Sequence, residues 1–136
     1  MNAESTRRAF LKTSAAGLAS GAVLLPGAYA AGNDTLRVGL VGCGGRGTGA
    51  AKQALRADPN VKLVAMCDAF MDRLDDSLRE LKNIKDIKDK IDVTPDRKFD
   101  GFEGFTKLLD SGVDVVLLCT PPGFRPLHLK AAIEAG

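Results

Sequence analysis

From residue 35 onward, apolar runs of strand length alternate with segments of helical periodicity. Two runs rich in β-branched residues, "TLRVGLVG" (35–42) and "VKLVAMCD" (61–68), predict the first two strands. A nearly unbroken apolar run, "VDVVLLCT" (113–120), is typical of a central parallel strand that is buried on both faces. An Ala-rich helix is predicted over residues 45–56, between the first two strands.

Two further helices are predicted between residues 69 and 112. Apolar residues at spacings of three and four predict an amphipathic helix after the second strand. These residues are Met71, Leu74, Leu78 and Leu81. Asp100 and Glu103 form an acidic variant of the capping box and predict the start of the next helix, which Ser111-Gly112 ends. The apolar face of that helix is predicted to contain Phe102, Phe105, Leu108 and Leu109.

The connection between these two helices carries charges of alternating sign, in "NIKDIKDKID" (83–92). Such a pattern predicts a solvated surface segment without a functional site. A short third strand is expected around residues 91–94, directly before Pro95. A last helix is predicted to begin at Pro126, because proline is favoured in the first helical turn. The inner face of this helix is expected to consist of Leu127, Ala131 and Ala135.

The alternation of strands and helices predicts the α/β class, with a doubly wound parallel sheet covered by helices on both faces. Another strand is expected after Gly136, so residues 31–136 are interpreted as an incomplete domain. The chain of 136 residues is 45% hydrophobic and 26% charged, as in ordinary globular proteins. No apolar run reaches the roughly 18 residues of a spanning helix, so no stable membrane anchor is predicted.

Residues 1–30 have the three zones of an export signal. A charged zone ends at Lys12, a short zone rich in Ala, Gly and Ser follows, and "AYA" (28–30) predicts cleavage after Ala30. The alternative is an N-terminal helix of the folded protein. This segment also accounts for the whole net charge of +2, so the remainder offers no basic face for nucleic acid.

Within that leader, "TRRAFLK" (6–12) resembles the twin-arginine export signal. The resemblance implies recognition by the twin-arginine export machinery and a periplasmic or otherwise exported location. Because this route carries proteins that are already folded, it also suggests a tightly bound cofactor that is loaded in the cytoplasm.

The three cysteines, Cys43, Cys67 and Cys119, lie in or beside strand-like runs. Their number is odd and their spacing matches no zinc or haem site, so no metal site is predicted. We interpret them as buried, unreactive thiols that pack as small hydrophobic groups.

The strongest functional signal is the turn "GCGGRG", in which Gly42, Gly44 and Gly47 form a G-x-G-x-x-G pattern. A strand precedes it, a helix begins in it, and Asp68 follows Gly47 by 21 residues, as in a Rossmann dinucleotide-binding unit. The three glycines respectively permit the tight turn, the close approach of a pyrophosphate and the packing of helix on strand. The residues between them belong to the same predicted phosphate site: Cys43, Gly45 and Arg46.

Asp68 ends the second strand, where a carboxylate can accept hydrogen bonds from the adenosine ribose. It would repel a 2′-phosphate, which favours NAD over NADP, although Arg46 or Arg73 could offset that repulsion. The alternatives are a helix-capping role for Asp68 and an ordinary strand-to-helix turn for the glycines. An S-adenosylmethionine site is disfavoured, because Leu40 stands where such domains usually carry an acid.

The segment "CTPPGFRPLH" (119–128) follows the last predicted strand, at the sheet edge where open α/β sheets bind ligands. His128 is the only histidine, and its simplest interpretation is a helix residue without a catalytic role.

Together, "VGLVGCGGRG", "VKLVAMCD" and "GVDVVLLCTPP…H…AAIEAG" resemble the Gfo/Idh/MocA oxidoreductases, which include glucose–fructose oxidoreductase and inositol dehydrogenase. The resemblance implies a Rossmann domain followed by a larger α/β domain with the sugar site and the contacts of a homo-oligomer. It implies NAD-dependent or NADP-dependent hydride exchange with a sugar or polyol carbinol. It places the pyrophosphate at the three glycines and the ribose at Asp68. It assigns the nicotinamide half to Thr120, Pro121 and Pro122.

The chain departs from the family pattern after "AAIEAG", where members carry a Glu-Lys-Pro strand with a catalytic lysine. No catalytic residue is therefore predicted here, and the sequence is interpreted as the nucleotide-binding fragment of a longer enzyme. A second departure is Gly123-Phe124-Arg125, where many members carry His or Asn. Two alternatives remain open. One is a non-enzymatic nucleotide-binding or scaffold module, and the other is a relative that hydrolyses glycosides through a transient oxidation.

Overall fold

The computed structural model describes residues 35–136. The signal peptide predicted for residues 1–30 therefore lies outside the described residues, and so does its cleavage site after Ala30. None of the helices in the described part of the chain is both long enough and apolar enough to cross a lipid bilayer.

Four parallel strands form one sheet in the order β3-β2-β1-β4, with four helices between and after them. The strands are β1 (Leu36–Val41), β2 (Val61–Asp68), β3 (Lys98–Asp100) and β4 (Val115–Leu118). The helices are α1 (Gly45–Ala57), α2 (Met71–Lys82), α3 (Gly104–Leu109) and α4 (Arg125–Ala135). Two short 3₁₀ turns, Lys88–Lys90 and Pro95–Arg97, precede β3. The predicted α/β class and parallel Rossmann-like sheet are confirmed.

The sheet separates two hydrophobic cores. Successive strand residues point to opposite faces, so Leu40 and Val41 belong to different cores. Leu55 of α1 and Leu74 of α2 pack on the first face. Phe105 of α3 packs on the second. Helices on both faces explain why β1 and β2 are buried on both sides.

The order in which strands are added to the sheet changes side at β1. The chain steps from β1 to β2 and β3 on one side, then crosses back to place β4 on the free edge of β1. In a doubly wound sheet, the loops at the carboxyl ends of such a pair diverge and leave a crevice. This topology opens a cleft between the turn after β1 and the loop after β4.

The start of β4 is tied to the start of β1 by an ion pair. The Asp114 carboxylate accepts hydrogen bonds from the Arg37 backbone N–H at 2.8 Å, from Nε at 3.1 Å and from Nη2 at 2.9 Å. The Asp114 N–H in turn donates to the Arg37 carbonyl at 2.8 Å. These side-chain and backbone hydrogen bonds from Arg37 lower the pKa of Asp114 to about 2.

The turn from β1 into α1 depends on glycine at two positions. Gly42 has a φ of +95°, and a Cβ there would lie 2.8 Å from the carbonyl carbon of Cys119. At Gly47, a Cβ would lie 1.7 Å from the Gly42 carbonyl oxygen, which is far inside van der Waals contact. Both observations agree with the tight turn and close packing that the fingerprint assigns to these glycines.

The third strand lies later than predicted. The expected strand at residues 91–94 makes only an isolated bridge, between Ile91 and Leu63. Pro95 has no N–H to donate to a sheet, and it opens a 3₁₀ turn instead. The strand forms at Lys98–Asp100, where it pairs with the last three residues of β2.

The connection at residues 83–92 was predicted to be a solvated surface segment, but part of it is buried. Ile87 is buried, with 1% of its surface exposed, and Ile84 and Ile91 pack against the same core. The Lys90 ammonium donates to the backbone carbonyls of Leu55 and Asp58, at 2.6 and 2.9 Å. The lysine thus satisfies carbonyls at the end of α1, while the isoleucines extend the core.

The prediction of a capping box before α3 was wrong. Asp100 belongs to β3, and the Glu103 side chain caps nothing. Gly101, with a φ of +83°, turns the chain before the helix begins at Gly104. Phe102 therefore precedes the helix and is 66% exposed, while Phe105 and Leu108 form the buried face.

Two predictions about the end of the chain are not matched within residues 35–136. There β4 pairs only with β1 and is partly buried, whereas a strand buried on both faces was predicted. On α4, the buried residue is His128, whereas Leu127 is 57% exposed. The helix presents His128 and Ala131 to the sheet, so Ala131 lies on the inner face as predicted, whereas Ala135 is exposed.

We expect the Gly47→Ala variant to be destabilised by at least about 1–3 kcal/mol, the usual cost of inserting a methyl group into a packed contact. The matched control is Gly49→Ala in the same helix, because a Cβ there meets no atom within 4 Å. That variant should be stabilised by up to about 1 kcal/mol through helix propensity. Urea unfolding of both variants measures the difference, and a G47A midpoint equal to that of wild type would contradict the packing constraint.

We expect the Asp114 carboxyl group to titrate near pH 2 in the folded chain. Its pKa is lower when folded than when unfolded, so its stabilising effect is present above about pH 4 and is lost as the pH falls towards 2. NMR titration of the carboxyl carbon measures the midpoint. Arg37→Gln should raise it, although the remaining backbone donor at residue 37 keeps it below the ordinary value of 3.8. Arg56→Gln, which removes the partner of Asp86, should leave it unchanged. A midpoint near pH 4 in the wild-type chain would contradict the lowering of the Asp114 pKa by Arg37.

Candidate functional site

A cleft of about 500 Å³ lies at the carboxyl ends of the strands. Segments that follow all four strands contribute to its wall. The turn after β1 provides Gly42, Gly44, Gly45 and Arg46. The end of β2 and the residues after it provide Cys67, Asp68, Ala69, Phe70 and Arg73. The later loops and helices provide Gly101, Phe102, Phe105, Cys119, Thr120, Pro121, Phe124, Arg125 and His128.

The N-terminus of α1 forms one wall of this cleft. Gly44 is the N-cap residue and makes no side-chain cap, so the first amides of the helix are left without an intrahelical partner. Apart from the adjacent backbone, no protein atom lies within 4 Å of a Cβ built at Gly44 or at Gly45. These two residues therefore leave open space in front of amide groups that favour an anion.

Asp68 is held against the same turn. One carboxylate oxygen accepts a hydrogen bond from the Cys43 N–H at 2.7 Å, and the other accepts one from the Phe70 N–H at 3.1 Å. Phe70, and not Asp68, is the N-cap of α2, so the helix-capping alternative is not supported. Each carboxylate oxygen has further acceptor capacity, and Asp68 is available to hydrogen-bond a ligand hydroxyl in the cleft.

The charged groups of the cleft favour an anionic ligand. Arg46, Arg73 and Arg125 line it, and Asp68 is the carboxylate among its lining residues. Arg125 donates to the Thr120 carbonyl at 3.3 Å. The guanidinium carbon of Arg73 lies 5.8 Å from the ring centroid of Phe70, a cation–π contact at the rim. The arginines leave the cleft with a net positive charge.

The segment after β4 completes the opposite wall. Thr120 and Pro121 line the cleft, whereas Pro122 is exposed outside it. His128 is 6% exposed and shares a 3.0 Å hydrogen bond with the Thr120 hydroxyl. Its ring centroid lies 4.4 Å from that of Phe105. Burial lowers the pKa of His128, so the imidazole is neutral near pH 7.

Most of the predicted cofactor residues meet in this one cleft. They are Gly42, Gly44, Gly45, Arg46, Asp68, Thr120 and Pro121. Three predicted residues do not line it. Cys43 is buried and reaches the site only through its N–H bond to Asp68. Gly47 is buried beneath the turn, and Pro122 lies outside.

The aromatic side chains of the cleft were not predicted from the sequence. Four phenylalanines line the cleft, and Phe70, Phe102 and Phe124 are each more than 40% exposed. The rings of Phe102 and Phe124 stack with centroids 5.8 Å apart, although they follow different strands. Phe70 and Phe102 each follow the end of a strand by two residues, but Phe102 could not be placed while the third strand was predicted at 91–94.

Burial was predicted for all three cysteines; it is confirmed for Cys43 and Cys67, whereas Cys119 is only partly buried and lines the cleft. Cys43 and Cys67 are buried, and burial is the main reason that their thiol pKa values are raised, to about 12 for Cys67. Burial likewise raises the pKa of Cys119. The three thiols are therefore protonated at neutral pH and act as small packing groups.

Comparisons with known proteins identify the fold. No protein-family model and no curated protein sequence matches the chain. Scyllo-inositol dehydrogenase from Lactobacillus casei, solved with bound NAD(H) and scyllo-inositol, is similar in structure. It has a TM-score of 0.56 and 23% identity over 75% of this chain and 26% of that chain. The apo form of that enzyme gives a TM-score of 0.56 and 23% identity over 76% of this chain and 27% of that one.

A second enzyme, myo-inositol 2-dehydrogenase from Lactobacillus plantarum, has a TM-score of 0.54 and 22% identity over 74% of this chain and 26% of its own. The present chain thus spans about a quarter of the length of these structures. Inositol dehydrogenase is one of the enzymes of the family that the motifs resemble. At this level of identity, the likeness shows that residues 35–136 share the Rossmann-like fold found in these dehydrogenases.

Proposed function

We propose that the cleft binds NAD(H) and that this chain is the dinucleotide-binding part of an oxidoreductase. The observation that carries the proposal is the 2.7 Å hydrogen bond from the Cys43 N–H to Asp68. It joins the carboxylate suited to a ribose directly to the turn suited to a pyrophosphate. The amides at the start of α1 would bind the phosphate oxygens, and Asp68 would accept from the ribose hydroxyls.

NAD is favoured over NADP for an electrostatic reason. The Asp68 carboxylate is held in place by two backbone amides, so it cannot easily turn away from a 2′-phosphate. Arg73 lines the same cleft but packs over the Phe70 ring. The Lactobacillus casei enzyme that shares this fold was solved with NAD(H), which supports the same choice.

The substrate class follows from the resemblance and the structural likeness together. We propose a sugar or polyol whose CH–OH group is oxidised or whose carbonyl is reduced, with the bound nicotinamide exchanging the hydride. The residues of this chain would bind and orient the dinucleotide. Proton transfer needs a group within hydrogen-bonding reach of the carbinol. Among the residues that line the cleft there is no lysine, and the one imidazole is bonded to Thr120. The acid–base group is therefore expected elsewhere in the complete enzyme.

Titration of the purified chain with NADH, followed by nicotinamide fluorescence, tests the cofactor site. Asp68→Asn should weaken NADH binding by roughly ten- to hundredfold, because a hydrogen bond to a charged group contributes about 1.5–3 kcal/mol. The ratio of NADPH to NADH affinity should rise, because the repulsive charge is gone. The control is Asp72→Ala, an acidic residue in the first turn of α2 that does not line the cleft, which should bind NADH as wild type does. Folded wild-type protein that gives no response at millimolar NADH would refute the proposal.

We also propose export through the twin-arginine route. The support is the "TRRAFLK" segment (6–12), which pairs Arg7 and Arg8 ahead of a short apolar zone. Replacing both arginines by lysine keeps the charge and should retain the protein in the cytoplasm. Fractionation of expressing cells measures the exported share, with Arg56→Lys as a charge-conserving control in the folded part. Equal export of the twin-lysine variant would contradict the route.

A further inference from the structure

His128 is a buried polar side chain whose role the dinucleotide proposal leaves open. It is 6% exposed and lies among rings, with the Phe105 centroid at 4.4 Å and the Phe124 centroid at 6.1 Å. A buried polar ring requires a hydrogen-bond partner. Within residues 35–136 that partner is the Thr120 hydroxyl, whose oxygen lies 3.0 Å from Nδ1.

The two nitrogens of this imidazole have different surroundings. No buried side-chain nitrogen or oxygen in the described part of the chain lacks a hydrogen-bond partner. Nε2 has no partner among these residues, so it must keep some contact with solvent, and His128 borders the cleft. Because the neutral ring carries one proton, one nitrogen donates and the other accepts.

Two arrangements of protons are compatible with this hydrogen bond. Nδ1 of His128 is the one hydrogen-bond partner of Thr120 Oγ1 among the described residues. If Nδ1 donates, the hydroxyl proton is left to an acceptor in the cleft, and Oγ1 uses a lone pair for the imidazole. If the hydroxyl donates to Nδ1, the ring proton is on Nε2, and both lone pairs of Oγ1 stay free for a donor in the cleft.

We propose that His128 is a positioning residue that accepts the Thr120 hydroxyl proton on Nδ1 and thereby turns the lone pairs of Oγ1 towards the cleft. There they would accept a hydrogen bond from a hydroxyl or amide N–H of the bound dinucleotide. The contact with the ligand rests on the proposed function, whereas the arrangement of protons does not. The aromatic rings beside His128 fix the plane of the imidazole and with it the direction of the hydroxyl.

Nitrogen-15 NMR of the wild-type chain tests the arrangement of protons without any substitution. The expected spectrum shows a neutral imidazole with the proton on Nε2 and with Nδ1 as an acceptor. Because this is the only histidine in the sequence, its two ring resonances are unambiguous. A proton on Nδ1 would overturn the inference.

Titrations with NADH test the contact with the ligand. Thr120→Val should weaken binding about threefold to tenfold, as expected for the loss of one hydrogen bond. Thr120→Ser keeps the hydroxyl and should bind within about twofold of wild type. His128→Phe removes the acceptor but retains a flat ring, and it should weaken binding as much as T120V.

The double variant T120V/H128F separates positioning from a merely structural role. If His128 acts through Thr120, the double variant should bind about as weakly as either single variant, because residues that act as one unit are not additive. Additive losses, or single variants with wild-type affinity, would overturn the positioning role while leaving the cofactor site intact. Wild-type protein that does not bind NADH would refute the proposed function and the ligand contact, and the NMR result would still decide the arrangement of protons.

Discussion

The close approach of α1 to the end of β1 is the constraint on which the rest of the site depends. The space between the Gly42 carbonyl oxygen and the α-carbon of Gly47 is too small for a methyl group. This contact holds the first turn of the helix directly above the end of a buried strand. Gly44 and Gly45 at the start of the helix then line the cleft, and the Cys43 N–H reaches Asp68 at the end of the neighbouring strand. A wider turn would separate the groups proposed to bind the phosphates from the carboxylate proposed to bind the ribose.

The parallel sheet extends this local constraint to the whole cleft. In parallel strands, every carboxyl end lies at the same edge, so segments that are distant in sequence meet there. Gly42 donates its N–H to the Cys67 carbonyl at 2.8 Å, and Cys119 donates to Val41 at the same distance. These bonds continue the β2–β1–β4 pairing to the level of the loops. The relative positions of Asp68, the glycine turn and Thr120 are thus fixed by backbone hydrogen bonds and depend little on flexible side chains.

The parts of the fold that the sequence predicted are those with a strong local pattern. β2 begins and ends at the predicted residues, and α1 extends one residue further, because unbroken apolar runs and the glycine fingerprint mark them. β3 was misplaced because its three residues carry no periodicity and are selected by pairing with Met66–Asp68. The burial of Ile87 and the stacking of Phe102 on Phe124 likewise depend on contacts across the fold.

At the site, the glycines and Asp68 were predictable because their chemistry depends on spacing. The aromatic side chains of the cleft and the Thr120–His128 bond were not, because partners from separate elements create them.

The polar groups of the cleft are arranged in a way that suits the proposed binding of a dinucleotide. Asp68 is held by two amides, Arg125 donates to a backbone carbonyl and His128 is bonded to Thr120. Groups that are fixed in this way are suited to hold a ligand in one orientation, since little freedom is lost on binding. A general acid or base instead must exchange its proton during the reaction, so it needs a pKa near the working pH and access to the substrate. His128 is buried and its Nδ1 is bonded to Thr120, so only Nε2 is left without a partner among the described residues. The bonding that suits this cleft to hold the proposed dinucleotide thus commits one nitrogen of its imidazole to Thr120.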